Sequence, residues 1–138
     1  DRVMVSAAAL TEAERERITA AMSRPSLFDS FARYLAGQGY DVPAEIRDRD
    51  VAAPLEASDA MQQALKKVYD DDTDATAVCE LLVDLDEGMQ EWRYHHVKMV
   101  ERTIGGRRGT GGSAGATYLR TTLGQPTFPD LWAVRTMG

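Results

Sequence analysis

Apolar positions recur at helical spacing along most of the chain. The longest run is Leu82, Leu85, Met89, Trp92, His96, Met99 and Thr103, with steps that alternate between three and four residues. Such spacing gathers the side chains onto one stripe of a helix. It predicts a long helix that begins near Ala75, packs along that stripe against neighbours and stops at Gly105-Gly106, where glycine tolerates the left-handed turn that closes a helix. No segment alternates at period two for long enough to make a strand. The pattern therefore predicts an all-α chain.

Capping signals divide the remainder. Thr11 and Glu14 form a T-x-x-E box, which predicts a helix from about Glu12 to Met22 whose charged residues (Glu12, Glu14, Arg15, Glu16, Arg17) face solvent. Arg24-Pro25 breaks it, because the residue before proline is pushed out of the helical region. Ser26 caps a second helix with Asp29 in its first turn, ended by Gly37 and Gly39. Its stripe of Leu27, Phe28, Phe31, Tyr34 and Leu35 reads as core rather than as a cofactor wall. Residues 40–57, with Pro43, Pro54 and a charged run from Glu45 to Asp50, read as a surface connection holding one short helical turn. Ser58 caps a third helix carrying Met61, Ala64, Leu65 and Val68. Beyond the long helix, Ser113 is placed to cap a helix from Ala114 to Leu123, and Pro129 suits the first position of a last short helix, Asp130 to Met137. The expectation is a single all-helical segment over residues 1–138.

Composition narrows the classes. Hydrophobic residues at 43% and charged residues at 28% describe a globular chain. A net charge of −6, with basic residues scattered except at Arg107-Arg108, argues against a nucleic-acid partner. No apolar run approaches the roughly 20 residues a membrane helix needs, so no membrane partner is expected. The single Cys79 excludes an internal disulfide, fits a cytoplasmic location and reads as a small buried hydrophobe. Asp70-Asp71-Asp72 lacks the D-x-D-x-D-G spacing of a calcium loop and reads as a solvated helix end.

Two features carry candidate chemistry. His96 lies mid-stripe with Trp92 one turn before it, whereas His95 is carried about 100° around the helix. An imidazole among Leu, Met and Trp needs a partner, since leaving it unpaired costs about 1–3 kcal/mol. That partner is a hydrogen-bonding group or a metal. With no HExxH, no second histidine a turn away and no cysteine pair, a zinc site of several protein ligands is not expected. A single axial imidazole on haem iron needs no more than one such residue. The second feature is Gly109-Thr110-Gly111-Gly112-Ser113-Ala114-Gly115. It fails as a phosphate loop, because Gly112 stands where lysine is needed and the stretch follows a helix rather than a strand. What remains is either a linker between helices or a glycine loop presenting the Thr110 hydroxyl to a ligand.

The run WRYHHVKMVERTIGGRRGTGGSAGATYLR and the later FPDLWAVRT resemble the C-terminal half of tryptophan 2,3-dioxygenase. PSLFDSFARYLAGQGYDVP, the stretch with VYDDD, and CELLVDLDEGMQEW fit the same family, so the resemblance covers most of the chain. It implies an all-α helical bundle around haem b, with His96 of the WR-x-x-H-V motif as the proximal ligand of the iron and Thr110 of the GTGG motif in contact with the ammonium group of the substrate. The reaction it implies is insertion of O2 across the indole C2–C3 bond of L-tryptophan, giving N-formylkynurenine in the kynurenine pathway of tryptophan catabolism. A homo-oligomer, typically a tetramer, is also implied.

The family's distal pocket is supplied by its N-terminal half, through a histidine in an F-x-x-x-H-Q type motif together with a tyrosine and an arginine. No such segment occurs here, and His95 and His96 are the only histidines. The expectation is therefore that no catalytic distal residue lies in this chain and that a second polypeptide or N-terminal half completes the pocket. Two other readings stay open: a related haem-dependent indole monooxygenase acting on another indole, and an inactive helical haem-binding partner subunit.

Overall fold

The computed structural model describes residues 10–104 and 120–137. These form helices α1 (Glu12–Met22), α2 (Leu27–Gly37), α3 (Ala44–Arg47), α4 (Asp59–Asp71), α5 (Asp74–Thr103) and α6 (Pro129–Ala133), then a 3₁₀ turn, Val134–Thr136. Among the described residues there is no strand, and no helix is long and apolar enough to cross a membrane. The all-α expectation holds. The chain divides into two compact units, residues 1–19 with 87–125 and residues 20–86 with 126–138. Helix α5 contributes to both.

The helix starts follow from their caps. Thr11 Oγ1 accepts from the Glu14 backbone N–H at 3.2 Å while Glu14 Oε2 accepts from the Thr11 N–H at 2.8 Å, and α1 buries no side chain. Ser26 and Asp29 make the same reciprocal pair at the start of α2. Ser58 Oγ accepts from Met61 N–H at 3.1 Å and starts α4. Helix α4 ends at Asp72, whose left-handed φ of 48° turns the chain toward α5. There Thr76 Oγ1 donates to the Val68 carbonyl at 2.8 Å, which also accepts from the capping Asp72 N–H at 3.3 Å, so the hydroxyl ties the start of α5 to the end of α4.

The second unit holds the hydrophobic core. Phe28, Phe31 and Leu35 from α2 meet Met61, Leu65 and Val68 from α4, Cys79 and Val83 from α5, and Phe128, Leu131 and Val134 from the C-terminal segment. Phe28 stacks on Phe128 with ring centroids 6.0 Å apart. The aromatic stripe of α2 is thus core, with one correction: Leu27, placed on that stripe by spacing, is exposed. It is the first residue of the helix and lies beyond the reach of the covering elements. The Asp70–Asp72 run is the solvated helix end expected, with Asp70 paired to Lys66 at 2.8 Å. Tyr40 Oη also donates to Asp71 at 3.1 Å.

One buried carboxylate joins α5 to the C-terminal segment within this unit. Asp86 Oδ1 accepts from Thr127 N–H at 2.9 Å, and Oδ2 accepts from Phe128 N–H at 2.8 Å and from the Trp132 indole N–H at 2.9 Å. Asp130, also fully buried, accepts through Oδ1 from Ser58 N–H and from the Gln62 amide, both at 2.9 Å. Buried acceptors bonded in this way fix where a short segment lies, although Asp130 Oδ2 is buried without a hydrogen-bond partner among the described residues. Val134 anchors the 3₁₀ turn in the core, and Arg135 pairs at the surface with Glu80 at 2.7 Å.

Candidate functional site

The site is built on residues 87–103 of α5, in the first unit. The periodic stripe read from the sequence exists, and the described residues leave most of it uncovered, more apolar surface than the other helices cover. Met89, Trp92 and Met99 are exposed, as is Thr103, and His96 is half-buried. In the second unit's stretch of the same helix, Leu85 is exposed and Leu82 is buried. The covered positions between 87 and 103 are Arg93 and Val97, with Gln90, Val100 and Glu101 half-buried beside them. At about 100° per residue, these centre about 100° around the helix from Met89, Trp92, His96 and Met99. Spacing found an apolar stripe, but it could not say which stripe this chain itself covers.

Arg93 is the buried charged residue of this stretch. Its Nη1 donates to the Gln125 carbonyl at 2.8 Å, tying the segment before Pro126 to the helix. Sequence reasoning passed over both Arg93 and Asp86, because charged residues at helical spacing read as solvated. Their signal was phase: seven residues apart, they sit in line with Cys79 and Val100.

On the uncovered side, His96 lies parallel to Trp92, with ring centroids 4.9 Å apart and 7° between planes. His95 is exposed and meets Tyr94 edge-on, with centroids 5.6 Å apart and 72° between planes. The two histidines therefore differ in surroundings: His96 belongs to an apolar stripe, and His95 to a polar flank where Lys98 also lies over Tyr94. Near the end of α5, Glu101 accepts from Arg120 Nε at 2.6 Å and pairs with Lys98 at 3.3 Å. The Arg120 hydrogen bond holds the Glu101 carboxyl below the usual range.

Thr110 lies outside the described residues, as does most of the helix expected from Ala114 to Leu123. Among the described residues no group of three or more His, Cys, Asp or Glu side chains could hold a bare metal ion.

An all-α chain with one histidine on an apolar helix stripe that the described residues leave uncovered is suited to hold a large apolar group through a single nitrogen. Comparison with known proteins gives that class a family. The family model for tryptophan 2,3-dioxygenase matches residues 58–137. Over 119 residues the chain is 63% identical to a tryptophan 2,3-dioxygenase of Anaeromyxobacter sp. (strain K), covering 86% of this chain and 44% of that protein. It is 55% identical over 120 residues to one from Herpetosiphon aurantiacus, covering 87% and 46%. Against one from Bacillus cereus it is 38% identical over 123 residues, covering 87% and 44%. The chain belongs to the tryptophan 2,3-dioxygenase family, and it spans about half the length of these curated relatives.

The residues present fit the haem on which the family generally depends. Haem needs an axial donor and an apolar surface, and His96 shares with Trp92, Met89 and Met99 the side of α5 that the described residues leave open.

Proposed function

We infer that this chain is the proximal part of a haem-dependent tryptophan 2,3-dioxygenase. The reaction it serves is insertion of both atoms of O2 across the indole C2–C3 bond of L-tryptophan, giving N-formylkynurenine. The observation that carries the reading is the place of His96, an imidazole on an uncovered apolar stripe, in a chain of this family. Haem b, when bound, would supply the redox-active iron for this oxygen chemistry. His96 would hold it through one nitrogen, leaving the other for a hydrogen bond that sets the ring's basicity. Met89, Trp92 and Met99 would exclude water from the proximal side, which strengthens electrostatic interactions there. Thr110, through the GTGG motif, would hold the substrate's ammonium group and so orient the indole.

The chain spans less than half of its relatives' length. The distal pocket is assigned to the remaining length of the family, in the same or a separate polypeptide. The open stripe of α5 and the family resemblance support an oligomer, typically a tetramer. The lone Cys79, which makes no internal disulfide, supports a cytoplasmic location.

The test is turnover in the presence of haem and the rest of the family's length, with the product weighed by mass spectrometry. Gain of two oxygen atoms by tryptophan is expected. Thr110→Ala should raise KM or lower kcat while the haem absorption stays in place. Gain of one oxygen atom would mark an indole monooxygenase instead, and a complex that binds haem but consumes neither substrate would mark an inactive subunit. Either result overturns the reading.

A further inference from the structure

We propose that Trp92 is a positioning residue for His96, holding the imidazole plane so that its edge, which carries both nitrogens, is the part free to meet a metal. The proposal rests on the reading that His96 ligates haem. Its own evidence is the stacking geometry: the two rings are parallel within 7° at 4.9 Å, on residues one turn apart on the same helix. Rotation of histidine about its second side-chain torsion is broad, unlike the staggered torsion at its Cα–Cβ bond. An imidazole on an open surface therefore samples many ring orientations, and each must be given up when the ring binds a metal. A parallel indole removes most of that freedom beforehand and covers one face of the imidazole without touching its edge. The exposure of Trp92, 59%, shows that the ring is not there to fill this chain's core. His95 meets Tyr94 at 72°, a contact to a ring edge that leaves the imidazole unclamped.

Preorganisation of this kind lowers the cost of binding in addition to any apolar cover that the indole gives the ligand. A stacked aromatic pair of this size corresponds to an effect of about three- to tenfold on an equilibrium. The experiment compares the 138-residue chain with Trp92→Leu, Trp92→Phe and His96→Ala. Haem titration is followed by absorbance, the ferrous iron–imidazole stretch by resonance Raman, and the His96 ring protons of the haem-free chain by NMR. Wild type should show His96 ring protons shifted upfield by the indole ring current. Trp92→Leu should lose that shift, bind haem about three- to tenfold more weakly and broaden the iron–imidazole band, and Trp92→Phe should restore part of each. Trp92 faces solvent, so helix content should not change. If it does, the Phe variant must rescue all three signals, and failure of that rescue overturns the proposal. Trp92→Leu with wild-type ring shifts and wild-type haem affinity also overturns it. Retention of haem by His96→Ala would instead overturn the ligand assignment, while the haem-free NMR still decides whether Trp92 holds the ring.

Discussion

The indole N–H of Trp132 donates to Asp86 Oδ2 at 2.9 Å, so the last short helix is fastened to α5 by a carboxylate with no exposed surface. The same group takes the backbone N–H groups of Thr127 and Phe128. Three donors on one buried anion make the side chain hard to replace. Asp86→Ala should lose about 3 kcal/mol or more of unfolding free energy, since each orphaned donor costs about 1–3 kcal/mol. Asp86→Asn keeps one acceptor oxygen and should lose less. Urea denaturation followed by circular dichroism gives both values. Equal stability of wild type and Asp86→Ala would show that the segment is held by Phe128 and Leu131 alone.

Most helix starts were legible because their caps are local. Thr11-Glu14, Ser26-Asp29 and Ser58 each fix a start within a few residues, and all were found where spacing put them. The face of α5 was harder. Its apolar stripe could be read, but burial depends on what other segments cover, and here Met89, Trp92 and Met99 are left open. Asp86 and Arg93 were missed for the converse reason, since their burial depends on partners at residues 125–132, remote in sequence. His96 stands out from its stripe and the family motif, whereas its stacking on Trp92 depends on side-chain geometry that spacing does not carry.

Acid should weaken the α2 anchor. Arg49 makes two hydrogen bonds to Asp29, Nε to Oδ1 at 2.6 Å and Nη2 to Oδ2 at 2.9 Å. Burial pushes the Asp29 carboxyl up, but Arg49 and the Ser26 cap together hold it below its ordinary value. A depressed folded-state pKa gives stability that is present above the unfolded value, about 3.9, and is lost as pH falls through the folded one. Arg49→Met should destabilise at neutral pH by about 1–3 kcal/mol and flatten the loss of stability below about pH 4. An unchanged acid slope in that variant would assign the loss to other carboxylates.

The only cysteine reports on global opening. Cys79 is fully buried, and burial pushes its thiol up to about 12. Since the thiolate is the reactive form, labelling by a disulfide reagent at about pH 8 should be slow in the folded chain and should speed up with urea in step with unfolding. Rapid labelling in native buffer would mean that the core around Val83 and Leu65 opens locally.

The assignment of His96 is tested most directly by haem titration of three chains: wild type, His96→Ala and His95→Ala. Wild type and His95→Ala should each take up one haem per chain with the same absorbance maximum, and His96→Ala should lose stoichiometric binding. Retention of haem by His96→Ala together with its loss in His95→Ala would contradict the account, because it would move the ligand off the stripe shared with Met89, Trp92 and Met99.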